Sequence, residues 1–121
     1  MMKKTIFAAC AVLLVPAFVS CQKKSDVERC LDAQSSLVET LQKINDKDSA
    51  EKYADEAGSL LEQFFTLFMA INNSHRWEEL KTHPQWEPLE YQLIELERRL
   101  RNQGYYGSER LRAAFLKRRG K

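Results

Sequence analysis

Apolar residues return every three or four positions along most of this chain, and that spacing limits its fold more than any other feature. Val27, Cys30, Leu31, Leu37, Val38, Leu41 and Ile44 fall on one helix face. Tyr53, Ala54, Ala57, Leu60, Leu61, Phe64, Leu67, Phe68 and Ile71 form a second stripe, which Phe65 and Met69 widen beyond what a single partner covers. Leu89, Leu93, Leu96 and Leu100 make a third seam, with Glu90, Glu95, Glu97, Arg98 and Arg101 toward water.

Start and stop signals divide these stripes into elements. Ser25 and Glu28 have the spacing of a capping box, which opens a helix running to about Lys47. Asp48 or Ser49 is the expected cap of the second helix, and Asn72-Asn73-Ser74 its stop. Ser74 then begins a short amphipathic turn over residues 75–81, and His83-Pro84 interrupts regular helix. A third helix follows Pro88 and ends at Gly104, and Ser108 opens a shorter fourth with Leu111, Ala114, Phe115 and Leu116 as its apolar side. Three prolines and four glycines in 121 residues are too few turn formers for a many-turned β fold. The fold class expected is all-α: a small antiparallel helical bundle of three main helices plus a short C-terminal helix, spanning residues 25–119. Residues 60–69 are its expected energetic centre, and the small residues at 54, 57 and 58 are expected to admit the first helix closely.

The first twenty residues have a different character. Lys3 and Lys4 precede an uncharged apolar run from Ile6 to Val19, which reads as a secretion signal and, broken by Pro16, is short for a membrane span of ~20 residues. Phe18-Val19-Ser20-Cys21 closes the run. This stretch resembles the lipobox of bacterial lipoproteins, with a small residue directly before the cysteine and Phe18 standing where an aliphatic residue is usual. The resemblance covers residues 1–21 alone. It implies cleavage after Ser20, acylation of Cys21, and residues 21–24 as a lipidated cysteine with a short tether. Gln22, which is not an aspartate, implies delivery to the periplasmic side of the outer membrane. Two or more acyl chains on Cys21 would make a stable anchor.

Cys10 leaves with the signal and Cys21 takes lipid, so Cys30 is the single remaining thiol. Its place on the first stripe predicts a buried small side chain, with an intermolecular disulfide as the alternative.

Charge is segregated. Residues 25–97 carry 16 acidic and 6 basic side chains, whereas residues 98–121 carry 9 basic and 1 acidic. The basic set, Arg98, Arg99, Arg101, Arg110, Arg112, Lys117, Arg118, Arg119 and Lys121, is the leading candidate for binding an anionic surface, lipid headgroups or cell-wall polymer. The alternative is that these charges solvate a helix face and neutralise the acidic body. Tyr105 and Tyr106, between Gly104 and Gly107, are candidate recognition aromatics, against a role packing over the end of the bundle. Trp77 and Trp86 are expected to seal the core where the chain turns.

Catalytic signals are weak. His75 and Glu79 share a face, but a metal site needs more ligands and His83 lies past a break. Ser49-Ala-Glu-Lys52 matches Ser-x-x-Lys without its companion motifs. The expected function is therefore a non-enzymatic, lipid-anchored envelope lipoprotein that binds or scaffolds a protein partner, with a cationic module for anionic lipid or polymer as the alternative. No cofactor, metal or nucleic acid is expected, and self-association through the second helix is open.

Overall fold

A computed structural model describes residues 24–119, and side chains as far as Lys117. The expectations for residues 1–20, for Cys21 and for Lys121 lie outside the described residues. All regular structure within them is helical: α1 (Asp26–Gln42), α2 (Lys47–Asn73), α3 (Trp77–Lys81), α4 (Trp86–Asn102) and α5 (Glu109–Arg119), with a one-turn connector, Gly104–Gly107, between the last two. There are four long helices and one short one, where the sequence suggested three and a short fourth. None of the described helices is long and apolar enough to cross a membrane.

Ser25 caps α1 as expected, its Oγ accepting from the Glu28 N–H at 3.2 Å. The next boundary differs from expectation. Asp46, in extended conformation, accepts from the Ser49 N–H at 2.8 Å, and the Ser49 hydroxyl accepts from the Asp46 N–H at 3.1 Å. Ser49 is thus the third helical residue of a reciprocal box, with its cap three positions earlier. Hydrogen bonds from Ser49, side chain first and backbone second, hold the Asp46 carboxyl below its ordinary range. α1 consequently stops at Gln42, and only residues 43–46 join it to α2.

α2 ends in a Schellman motif: the Arg76 N–H donates to Ile71 O and the His75 N–H to Asn72 O. His75 occupies the left-handed position, φ 60°, where glycine is usual. α4 starts at Trp86, before Pro88, because a proline in the first turn removes only an N–H that has no acceptor within the helix. Gly104 (φ 60°) terminates α4, and Tyr105, Tyr106 and Gly107 continue at φ 55°, 53° and 80°. Four successive left-handed residues form one reversed turn, closed by Tyr106 N–H to Gln103 O and Ser108 N–H to Tyr105 O, both 3.0 Å. Ser108 then caps α5 through Leu111 N–H.

Two apolar clusters fill the interior. One joins Leu37, Leu41 and Ile44 to Ala50, Ala54, Ala57, Leu61, Leu96, Leu100, Leu111 and Phe115. The other joins Val27, Cys30 and Leu31 to Phe64, Ile71, Leu80 and Trp86. Phe115, Leu37, Leu41, Ile44, Leu100 and Leu111 are fully enclosed, each contributing about 1.5–3 kcal/mol. The fully enclosed side chains are spread over several helices, and within residues 60–69 Leu61 and Phe64 are buried whereas Met69 is exposed. Leu116, expected on the apolar side of α5, is exposed too. Phe68 stacks on Trp86 at 6.1 Å and meets Trp77 edge-on at 5.6 Å, so the two tryptophans close the core at the α2–α4 bend as expected.

Cross-contacts fix which segments are neighbours. Arg76 pairs with Asp26 at 3.1 Å, and Thr40 donates to Glu56 at 3.3 Å between α1 and α2. Gln34 donates to Glu90 at 3.2 Å, and Arg99 reaches the end of α1. Glu90, expected in water, is drawn half inside by this bond. The other amide atom, Gln34 Oε1, is buried with no hydrogen-bond partner.

Candidate functional site

Five of the basic residues of 98–121 have acceptors among the described residues, while the side chains of Arg118, Arg119 and Lys121 lie outside them. Arg98 pairs with Glu95 at 2.6 Å, Arg101 with Glu97 at 3.6 Å and Arg112 with Glu109 at 3.7 Å, each within its own helix. Arg99 Nη2 donates to Ile44 O at 2.9 Å and lies 3.4 Å from Leu41 O, capping carbonyls at the end of α1. α1 has no basic residue in its own last turn, so Arg99 supplies the cation that its C-terminus favours. Arg110 ties α5 to α2, donating to Asp55 at 2.9 Å and to the Glu51 backbone oxygen at 2.8 Å, with the Glu51 carboxylate at 3.3 Å. Each of these five guanidinium groups thus has an acceptor within the fold. Lys117 is exposed and forms no ion pair among the described residues.

Tyr105 is 5% exposed, its ring 5.7 Å from that of Phe115, so it packs the core and offers no face to a ligand. Tyr106 is half-buried against the same cluster. Both rings therefore cover the end of the helical body.

Cys30 is fully buried, and its thiol is pushed up to about 12 by burial first and the Glu90 charge second. It behaves as a small apolar residue, as its place on the stripe suggested. Among the described residues, no group of three His, Cys, Asp or Glu side chains is arranged to hold a metal ion.

A sizeable concavity lies elsewhere. A groove of about 490 Å³ runs between α2 and α5, floored by Ala54, Gly58, Leu61, Phe65 and Ala114, with Ser59 and Thr66 on its open side. Gly58 lets the helices approach: a Cβ there would stand 3.4 Å from the Ala114 Cβ. The helix admitted by this small residue is α5, not α1 as expected. Asp55 and Arg110 satisfy each other at one edge, and Glu62 and Lys117 stand at the other. The site went unnamed in the sequence, although two signals pointed at it: the small residues at 54, 57 and 58, and Phe65 standing off the main stripe.

No protein-family model, curated protein or solved structure matches the chain.

Proposed function

We propose that this chain is a lipid-anchored envelope lipoprotein, held by acyl groups on Cys21 at the periplasmic side of the outer membrane, whose helical domain binds a protein partner and performs no catalysis. The α2–α5 groove carries the binding part of this reading. Its floor is small and apolar, and its one close ion pair is internal, so it suits the apolar face of a partner helix better than a charged ligand. The anchoring part rests on the lipobox resemblance of residues 18–21. We also read the four long helices as a bundle in which each runs antiparallel to the one before it. The pairings Asp26–Arg76 and Thr40–Glu56 support this, as does Arg99 meeting Ile44 where Gln34 meets Glu90.

The groove is tested by a photo-crosslinking residue at Thr66 in cells of the native host, with Ser59→Trp as the blocking change. Ser59 is exposed and lines the groove, so the indole fills it without entering the core. The expected result is one crosslinked envelope protein that disappears in the Ser59→Trp variant while its melting temperature is unchanged. Crosslinks that persist in that variant, or that join two copies of this chain, would reject the reading. Intact-mass spectrometry of the processed product tests the anchor, an unacylated Cys21 being the adverse result.

A further inference from the structure

α4 carries apolar side chains on two opposite faces, and only one of those faces is packed among the described residues. Leu89, Leu93, Leu96 and Leu100 meet the core. Tyr91 and Ile94 each stand two positions from that seam, about 200° around the helix at 3.6 residues per turn, and are 67% and 46% exposed. They are the most exposed large apolar side chains among the described residues. Single apolar residues on a surface are ordinary. These two belong to a series, because Glu87, Tyr91, Ile94 and Arg98 are all exposed and follow one another at steps of four, three and four. Alternating steps of three and four are the spacing of a coiled-coil seam. The groove described above lies between α2 and α5, so this seam is a separate surface.

The order of charges along the seam selects what fits it. Glu87 closes one end and Arg98 the other, ~17 Å apart at 1.5 Å per residue, with the apolar pair between them. Both pairs are centred on the same point, between residues 92 and 93. An antiparallel copy of α4 centred there sets Tyr91 of each helix against Ile94 of the other, and in the same register sets Glu87 of each against Arg98 of the other. Parallel packing sets Glu87 on Glu87 and Arg98 on Arg98, which like charges oppose. The face therefore supplies the mate of each of its own charges, once per copy, as a two-fold interface requires. Glu87 has no ion pair with a described residue. Arg98 holds Glu95 at 2.6 Å through Nη1, which leaves further N–H donors for a second carboxylate. Arg101, next along the seam, pairs with Glu97 at 3.6 Å.

We infer that the outer face of α4 is a self-association surface, on which two copies of this chain pair antiparallel through Glu87, Tyr91, Ile94 and Arg98. This goes beyond the groove and the anchor and depends on neither. It moves self-association from the second helix of the sequence, where it was open, to α4. One short helix face buries less than the ~800 Å² per partner of a standing complex, so the pairing is reversible and dilute protein is monomeric.

A covalent trap suits a reversible contact. A photo-crosslinking residue replaces Tyr91 in the full chain, made in its native host, and intact cells are irradiated. The expected product has the mass of two copies, with both linked peptides drawn from α4. Glu87→Arg alone and Arg98→Glu alone each bring two pairs of like charges together by symmetry, and each should lower the yield about tenfold. Making those two variants in the same cell should restore it, because one copy then carries two positive ends and the other two negative ends. Both changes fall on exposed residues, and unchanged circular dichroism reports an intact fold. Crosslinking of position 91 to a different protein, or to nothing, would overturn the inference. So would a yield indifferent to either single change, or one that the paired variants fail to recover.

Discussion

Arg99 separates a structural cation from a binding one, and its removal has a calculable effect. Its guanidinium caps Ile44 O at 2.9 Å, while the 3.4 Å approach to Leu41 O is too long to add much. A hydrogen bond to a charged group contributes about 1.5–3 kcal/mol, nearer the lower figure because Arg99 is exposed. A cation at a helix C-terminus adds about 0.3–1 kcal/mol. Arg99→Met, which keeps the aliphatic stem, should therefore cost about 2 kcal/mol, or roughly 8–16 °C in melting temperature for a domain near 100 residues. Arg98→Met is the matched control, since it loses only an exposed pair with Glu95, which contributes about 0.5 kcal/mol. Urea and thermal unfolding followed by circular dichroism measure both. Equal stability of the two variants would show that Arg99 does not brace α1. Arg99→Lys should fall between them, keeping the charge and losing the fixed geometry of the fork.

Three further outcomes are expected. His75→Gly should stabilise the protein by about 1 kcal/mol, because an exposed left-handed position at φ 60° penalises a Cβ, whereas His75→Ala should give no gain; urea unfolding decides. Gly58→Ala should stabilise by about 0.5–1 kcal/mol through helix propensity, its methyl just reaching Ala114, while Gly58→Leu should displace α5 and lower the melting temperature. For Cys30, the folded thiol keeps its proton up to about 12 while the unfolded one loses it near 9.0, so the native state binds more protons in between. Stability should accordingly be complete below pH 9 and fall by about 1 kcal/mol per unit above it, relative to a Cys30→Ala variant that lacks this component.

Much of the architecture was legible because helical periodicity is a local signal. The stripe from Val27 to Ile44 and the seam from Leu89 to Leu100 both meet the core. Boundaries were less so: Asp46 and Asp48 are equally good caps by type, and only the reciprocal bond with Ser49 distinguishes them. For the basic segment, composition could not show the direction in which each side chain reaches. Arg98, Arg99 and Arg101 are near-neighbours in sequence, yet one reaches across to α1 and the others pair within α4. For Tyr105 and Tyr106 the sequence left recognition and packing over the bundle end both open, and burial separates them only for Tyr105, which is enclosed while Tyr106 is half-buried. The groove depends on which helix lies against Gly58, a tertiary fact that no stripe encodes.

The connector from Gly104 to Gly107 carries a consequence for heredity as well as shape. A run of four residues wound in the opposite sense to ordinary polypeptide suits mirror-image building blocks better than the ribosome's own. Glycine, being achiral, is the closest encodable substitute, and two of the four sites have it. Random mutation should therefore find few acceptable replacements there, making a surface link as intolerant of drift as the interior it joins.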